Sequence, residues 1–270
     1  MKKIFFWILS FIITVSFAYF QRITGPTYPI KNTINYENTD VNYYLPRSCT
    51  IGKNDCIIKV KSDREIEANL IWRRYKTADK WSFLKMNYAD RQLSASIDDQ
   101  PPAGKIEYKV EIGDKDNKLL LTQKPIVTRF KGDVPPHILI PHILFMFLFM
   151  LFSVRIFLGV MDKKYILKHP VFFNIFFLAI GGFIFGPLTQ KYAFGFYWTG
   201  FPFGHDLTDN KALIMMVFWI MAAISIYKFK YPRRWVAFAF MVTFAMYLIP
   251  HSVLGSEFDY NKQEMVGIKK

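Results

Sequence analysis

Five long runs of apolar residues divide the chain, and polar segments separate them. Runs of roughly 17–25 residues are long enough to cross the hydrocarbon core of a bilayer as α-helices. The pattern therefore predicts a membrane protein with five transmembrane helices, at residues 4–20, 137–159, 171–188, 212–229 and 235–250.

The segment between the first and second runs, residues 21–136, has a different pattern. Short stretches that alternate between apolar and polar residues, such as 68–72 and 105–110, are typical of strands with one buried face. Turn-forming sequences rich in Gly, Asp, Asn and Pro separate these stretches. This rhythm over about 110 residues has the size of one all-β sandwich. The sequence therefore predicts a β-sandwich domain inserted between spans one and two.

A basic-aromatic strand, a Trp, a Pro-x-Gly turn and a Tyr-bearing strand follow one another within residues 22–130. The motifs are Ile71-Trp72-Arg73-Arg74-Tyr75, Trp81, Met86, 95–97, Pro101-Pro102-Ala103-Gly104 and 106–110. In this order they resemble the immunoglobulin or fibronectin type III modules of exported bacterial proteins. The resemblance implies the fold and not an activity, and it implies a corner-tyrosine role for Tyr108. The membrane half carries no such resemblance.

Basic residues cluster at the ends of the runs that would face one side of the membrane. Lys and Arg are enriched in short cytoplasmic loops, so these ends are predicted to be cytoplasmic. The amino terminus is then inside, and the neutral segments 189–211 and 252–270 lie outside with the β domain. Asp162 is the only acidic residue at these ends. The ten basic residues there are Lys2, Lys3, Arg155, Lys163, Lys164, Lys168, Lys228, Lys230, Arg233 and Arg234.

The same partition accounts for most of the formal net charge of +14. The predicted cytoplasmic edges carry +9 of it, and in residues 21–136 the remaining excess is scattered among acids. A protein that binds phosphate backbones concentrates its charge on one face or tail. We therefore expect the lipid bilayer, and not nucleic acid, as a partner. Arg155, inside the second run, is expected to snorkel toward the interface.

Together these patterns predict four parts of the chain. They are a signal anchor or first transmembrane helix at 1–20, an exported β domain at 21–136, a four-helix transmembrane domain at 137–251 and an exported tail at 252–270. A cleaved signal peptide is the alternative for the first part, because Ser16-Phe17-Ala18 has the spacing of a peptidase site. The short Lys-rich amino terminus favours a bacterial inner membrane, with the β domain in the periplasm.

Cys49 and Cys56 are the only cysteines, and the predicted β domain contains no histidine. An exported compartment favours disulfide formation, whereas a metal site would need further ligands. The sequence therefore predicts a disulfide between these two residues, with free thiols as the alternative.

Two segments on the predicted outer face carry histidines and carboxylates. Imidazole and carboxylate together suit zinc or another divalent ion, although no helical zinc-binding spacing occurs. The alternative interpretation is structural: Asp206 or Thr208 caps the fourth helix, and Asp209 complements its dipole. The candidate metal ligands are His205, Asp206, Asp209, His251 and Glu257.

Haem is a second candidate cofactor on the same face. His142 lies about one and a half turns inside the second span, and His251 ends the fifth. Opposing helices could therefore supply two axial imidazoles. Single histidines within a membrane also hydrogen-bond across helices, which is the alternative role of His142.

The sequence contains no nucleophile elbow, phosphate-binding loop or zinc-ribbon spacing. The favoured interpretation is an interaction, accessory or assembly component of a membrane complex, whose β domain and outer loops contact a membrane or periplasmic protein. The aromatic stretch 194–203 is a candidate part of that surface, and the alternative is that it lies in the membrane interface as part of an aromatic belt. The alternative is a metal- or haem-binding membrane enzyme or electron carrier with its site on the outer face.

Overall fold

The computed structural model describes the chain except for residues 1, 115–116, 251–254, 256 and 267–270. Five helices and thirteen short strands make up the described part. The helices are α1 (Lys2–Thr24), α2 (Pro136–Val160), α3 (Lys168–Phe194), α4 (Leu207–Lys228) and α5 (Pro232–Leu248).

Four of the described helices, α1 to α4, are long and apolar enough to cross a membrane. Each of them overlaps a predicted span, so the presence of apolar helices of membrane length is confirmed. The remaining predicted span corresponds to α5, which has 17 residues. The membrane crossing of α5, and with it the count of five spans, stays a prediction.

The helices pack around an apolar core in which Phe149 and Trp219 are fully buried. Polar side chains inside this core are paired across helices. Trp219 Nε1 donates to Thr243 Oγ1 at 2.8 Å and joins α4 to α5. Asn174 Nδ2 donates to Ser153 Oγ at 3.0 Å and joins α3 to α2. Such bonds satisfy polar groups that have no water to bind within a bilayer.

A π-helical turn, Ala179–Phe185, interrupts α3. Gly181 lies in this turn and faces α2, where a Cβ would be 3.0 Å from the backbone nitrogen of Met146. Any side chain at this position would force the two helices apart. The close approach of α2 and α3 therefore depends on a glycine.

The first helix is a packed member of the bundle. Trp7 contacts Phe152 of α2 with ring centroids 5.3 Å apart, and Phe17 contacts Phe244 of α5 at 5.0 Å. Near the end of α1, Gln21 Nε2 donates to the carbonyl oxygen of Tyr247 at 2.6 Å. The contacts run along most of the helix.

Arg155 differs from expectation, because it does not snorkel toward an interface. Its residue surface is only 4% exposed. The guanidinium lies 4.5 Å from the ring of Tyr165, 5.5 Å from Trp7 and 5.6 Å from Phe6. One turn further along α2, Gly159 leaves room for the Tyr165 ring. Cation–π contacts thus hold this charge inside the bundle and join α1 to α2.

The second compact unit is built from two β-sheets. The first sheet has the order β1-β2-β4-β8-β7, and the second has the order β3-β11-β9-β5-β6, with β10 added beside β9. All neighbours are antiparallel except β3 and β11. The strands are β1 (Ile30–Tyr36), β2 (Thr39–Leu45), β3 (Ser48–Thr50), β4 (Ile57–Lys61), β5 (Ala68–Arg74), β6 (Ser82–Lys85), β7 (Asn87–Ala89), β8 (Gln92–Ser96), β9 (Lys105–Ile112), β10 (Leu119–Leu120) and β11 (Ile126–Lys131).

The two sheets share one hydrophobic core, to which alternating residues of their strands contribute. Tyr108 of β9 is completely buried, and its hydroxyl donates to the carbonyl oxygen of Pro46 at 2.9 Å. Burial raises the pKa of this hydroxyl far above its usual value, so it stays protonated and a donor. The sheet-rich unit predicted for residues 21–136 is confirmed, while its likeness to immunoglobulin modules stays a prediction.

The carboxyl-terminal segment, predicted to be an exported tail at 252–270, is described in part. The described part of Ser256–Val266 belongs to the same compact unit as Thr27–Asp133, and its export stays a prediction. It folds as a small hairpin of β12 (Phe258–Asp259) and β13 (Glu264–Met265). The Phe258 N–H donates to the carbonyl oxygen of Ala103 at 3.2 Å, which attaches the hairpin to the β domain.

The predicted disulfide is confirmed. Cys49 of β3 and Cys56, just before β4, are bonded with their Cα atoms 5.1 Å apart. Both are buried in the core of the β domain. The bond closes the loop between the two strands, and it links the second sheet to the start of a strand in the first.

Candidate functional site

The candidate site is the connection between α3 and α4, residues 195–206, which we call the aromatic loop. Asp206 ends this loop and is the N-cap of α4, since its Oδ1 accepts from the Thr208 N–H at 2.8 Å. The capping role that the sequence offered as an alternative to metal binding is therefore present.

Asp209, in the first turn of α4, binds the loop itself. Its Oδ2 accepts from the backbone N–H of Thr199 at 2.6 Å and of Gly200 at 3.0 Å, and from the Thr199 hydroxyl at 3.2 Å. The residue is only 7% exposed. A Cβ at Gly200 would lie 2.6 Å from the Asp209 Cβ. The carboxylate and the glycine together fix how the loop meets the helix.

Further hydrogen bonds hold the rest of the aromatic loop in one conformation. Asn210 Oδ1 accepts from the Phe201 N–H at 2.7 Å. The Asp206 N–H donates to the Thr199 carbonyl at 3.0 Å, and Trp198 Nε1 donates to the Phe201 carbonyl at 3.0 Å. The peptide bond between Phe201 and Pro202 is cis. The backbone is thus bound at several points rather than at its ends alone.

This fixed loop presents aromatic side chains at the surface. Phe201 is 67% exposed and Phe203 is 59% exposed, and Tyr197 is also exposed. We call these three residues the aromatic face. Trp198 points the other way and stacks on Phe183 of α3 with ring centroids 5.6 Å apart. The loop therefore uses one partly buried aromatic ring as a support, while the three residues of the aromatic face and Phe196 are exposed.

Lys211 is a second buried charge at the start of α4. Its Nζ donates to the carbonyl oxygen of Ile249, just beyond the end of α5, at 3.0 Å. A lysine that binds a free carbonyl at a helix end supplies a donor where the helix itself has none. Lys211 therefore joins the aromatic-loop end of α4 to the end of α5.

The candidate metal ligands are not gathered by the described contacts. His205 is exposed, Asp206 and Asp209 bind backbone amides, and His251 lies outside the described residues. Glu257 belongs to the β-domain unit. Within the part of the chain that the structure describes, no group of three or more His, Cys, Asp or Glu residues could hold a metal ion. Because His251 is not among those residues, the metal site stays a prediction.

His142, the candidate haem ligand, has a partner within the bundle. Its Nδ1 lies 2.9 Å from the carbonyl oxygen of Gly181 in the π-helical turn. A carbonyl only accepts, so Nδ1 carries the hydrogen and the cross-helix role proposed for this residue is present. The second candidate ligand, His251, lies outside the described residues. Haem binding stays a prediction.

Glu257 is bound by two lysines. Its Oε2 lies 2.6 Å from Lys105 Nζ, and its Oε1 lies 2.9 Å from Lys76 Nζ. Burial alone would raise the pKa of this carboxyl, but the hydrogen bonds from the two lysines outweigh it and hold the pKa below its usual value. Burial lowers the pKa of Lys105 despite its acidic partner. We call Glu257 and its two lysines the tail clamp.

Tyr260, three residues after Glu257, adds a second contact of the hairpin. Its ring lies 5.3 Å from the guanidinium of Arg74. A Cβ added at Gly104 would lie only 2.7 Å from the Tyr260 hydroxyl. A side chain on residue 104 would therefore displace the hairpin.

Sequence reasoning anticipated the capping role of Asp206, but for Asp209 and Glu257 it missed what the carboxylates bind. The ligands of Asp209 are backbone amides ten and nine residues earlier in the chain, which no side-chain pattern indicates. The lysines of the tail clamp lie more than 150 residues before Glu257. The one usable signal was Gly200 in an otherwise bulky stretch, because glycine permits close backbone approach.

Neither a protein-family model nor a curated protein sequence matches this chain. The geometry of the described residues therefore carries the functional proposal.

Proposed function

We propose that this protein is an integral protein of a bacterial cytoplasmic membrane that docks onto another membrane protein. Its exported β domain, with an immunoglobulin- or fibronectin-like fold, and its aromatic loop form the docking surfaces. In this role it is an accessory or assembly component of a membrane complex. The observation that carries the proposal is the rigidly held aromatic face.

Rigidity is the feature that distinguishes this loop from an ordinary surface connection. A buried carboxylate, Asp209, is used to fix a loop whose aromatic side chains remain exposed. Burying a charge costs free energy, and exposing Phe201 and Phe203 forgoes stabilisation. Holding aromatic rings in place before binding lowers the entropy lost on association, and aromatic residues dominate binding energies at interfaces. The arrangement suits recognition of a protein surface.

The carboxyl-terminal hairpin supports the proposed orientation. The hairpin and the β domain fold as one unit, so both must lie on the same side of a membrane. The chain between them must then cross an even number of times. Helices α2, α3 and α4 are long and apolar enough for three crossings, and in the proposed arrangement α5 is the fourth. With α1 this makes five spans, an amino terminus in the cytoplasm and a carboxyl terminus in the periplasm, in agreement with the charge bias.

Thiol labelling tests this orientation. The native cysteines are joined in a disulfide, so Lys262→Cys in the hairpin and Lys230→Cys between α4 and α5 each introduce one free thiol. Both positions are exposed. A maleimide that does not cross membranes should label residue 262 in intact spheroplasts, and residue 230 only after the membrane is permeabilised. Labelling of both or of neither before permeabilisation would contradict the proposed orientation.

Photo-crosslinking in native membranes tests the docking role. A photoreactive amino acid at position 201 or 203 should give an adduct with another protein, identified by mass spectrometry. Position 176 is the matched control, because Phe176 is also an exposed Phe but lies on α3 away from the loop. Adducts with lipid alone at positions 201 and 203, together with a lone species in mild detergent, would overturn the proposal.

A further inference from the structure

Strand β6, Ser82–Lys85, is an unpaired edge of the second sheet. It bonds to β5 on one side, and among the described residues no strand pairs with its other side. All four residues of the strand are exposed. An edge strand offers a row of free backbone donors and acceptors, and proteins usually protect such rows with charge or a covering segment.

Apolar side chains on both faces make this edge unusual. Phe83 is 72% exposed on one face. Leu84 points to the other face, opposite the completely buried Leu70, yet is 40% exposed because no further strand covers it. The β1 edge of the first sheet differs, since its exposed residues are polar: Lys31, Asn32, Thr33 and Asn35. The core of the β domain is thus open along β6.

The hydrogen-bond pattern fixes which backbone groups are free. In an antiparallel ladder, successive residues point their backbone groups alternately toward and away from a given neighbour. The Met86 N–H donates to the Ala68 carbonyl at 2.9 Å. Residues 82 and 84 therefore face β5, and the N–H and C=O groups of Phe83 and Lys85 point outward.

We propose that β6 pairs with β6 of a second copy of this chain, antiparallel and about a two-fold axis. The two second sheets then become one continuous sheet across the dimer. Residues that lie opposite one another in such a pair share a face of the sheet. This restricts the axis to a residue position and excludes a point between two residues, and Phe83 and Leu84 are the two central positions of the strand.

The side chains are self-complementary in either register. An axis at Phe83 places Phe83 opposite Phe83 of the second copy. An axis at Leu84 places Leu84 opposite Leu84 of the second copy, which covers the apolar surface along β6. Lys85 then lies opposite Trp81 or Phe83 of the second copy, never opposite another Lys85, so like charges do not meet. Copies inserted in one membrane share an orientation and are confined to its plane, which favours a two-fold pair. This last point rests on the proposed membrane location.

Cysteine crosslinking of the full-length protein in membranes tests the pairing. Phe83→Cys and Leu84→Cys are made separately, and Thr33→Cys on the exposed β1 edge is the matched control. Directly opposed Cβ atoms in a strand pair lie within disulfide reach. Mild oxidation should convert at least one of the β6 variants to a disulfide-linked dimer. The variant with the higher dimer yield identifies the residue that lies at the two-fold axis. Dimer yields no higher than that of Thr33→Cys for both variants would overturn the proposal.

A proline at Lys85 gives a second and independent readout. The Lys85 N–H points outward, so Lys85→Pro removes an intermolecular donor without removing a bond to β5. Added to the crosslinking variant, it should abolish the dimer while the thermal unfolding midpoint stays near that of the parent. Retention of the dimer in a folded Lys85→Pro variant would also overturn the proposed β6 pairing. So would an adduct with a different protein in place of the dimer.

Discussion

Replacing Asp209 by Ala is expected to lower the free energy of unfolding of the helical unit by about 2–5 kcal/mol, because it leaves two buried backbone donors without acceptors. The donors are the N–H groups of Thr199 and Gly200, and both residues are buried. The aromatic loop should lose its fixed conformation in the same variant. Thermal unfolding in detergent measures the first effect, and hydrogen exchange of residues 195–206 measures the second.

Asp206→Ala is the matched control for this prediction. Asp206 lies three residues earlier, and its side chain accepts from the Thr208 N–H. Loss of an N-cap costs about 1 kcal/mol, and the loop bonds to Asp209 remain. Asp209→Asn keeps one acceptor oxygen and should fall between the two. If Asp209→Ala and Asp206→Ala were equally stable and equally protected from exchange, Asp209 would not be the anchor of the loop.

Asp209→Ala should also weaken docking onto the partner protein. If the aromatic face binds through its fixed conformation, Asp209→Ala should weaken partner crosslinking at position 203 although Phe203 itself is present. The dimer through β6 should not change, because β6 belongs to the other compact unit. The two proposed contacts are therefore separable by a single variant.

Much of the architecture could be predicted because it depends on local pattern. Apolar runs located the helices, and alternation with turn residues located the sheet-rich unit between α1 and α2. The disulfide followed from Cys49 and Cys56 being the only cysteines and from the prediction that their segment is exported. These features are set by neighbours in the chain and by the solvent that each segment meets.

The features that the sequence did not indicate concern groups whose partners are distant in sequence. Arg155 was expected at an interface because an isolated arginine in lipid has no better place, but aromatic rings from α1 and from the loop after α2 surround it. The segment after α5 was expected to be an exported tail, and its hairpin was not predicted because two strands of two residues each give almost no pattern. Its place in the β-domain unit depends on Lys76, Lys105 and Arg74, which lie in a segment separated from it by four helices.

The carboxyl-terminal hairpin is expected to detach from the β domain when Glu257, the acid of the tail clamp, loses its charge. The folded-state pKa of Glu257 is lowered, so its ionised form contributes stability above the unfolded pKa of about 4.3. That contribution is lost as the pH falls through the folded-state value. The hairpin of the unmodified protein should therefore stay attached at neutral pH and lose protection from hydrogen exchange on acidification below that range.

Glu257→Gln should produce the released state at neutral pH. A charge-assisted hydrogen bond to the half-buried Lys105 contributes about 1.5 kcal/mol, which corresponds to a roughly tenfold loss of exchange protection for residues 257–266. The bond to Lys76, whose side chain is mostly exposed, contributes less, so Lys105→Gln should have a larger effect than Lys76→Gln. Glu65→Gln, at an exposed carboxylate of the β domain, is the control. Protection that is unchanged in Glu257→Gln, or that falls with acid as steeply as in the parent, would contradict the clamp.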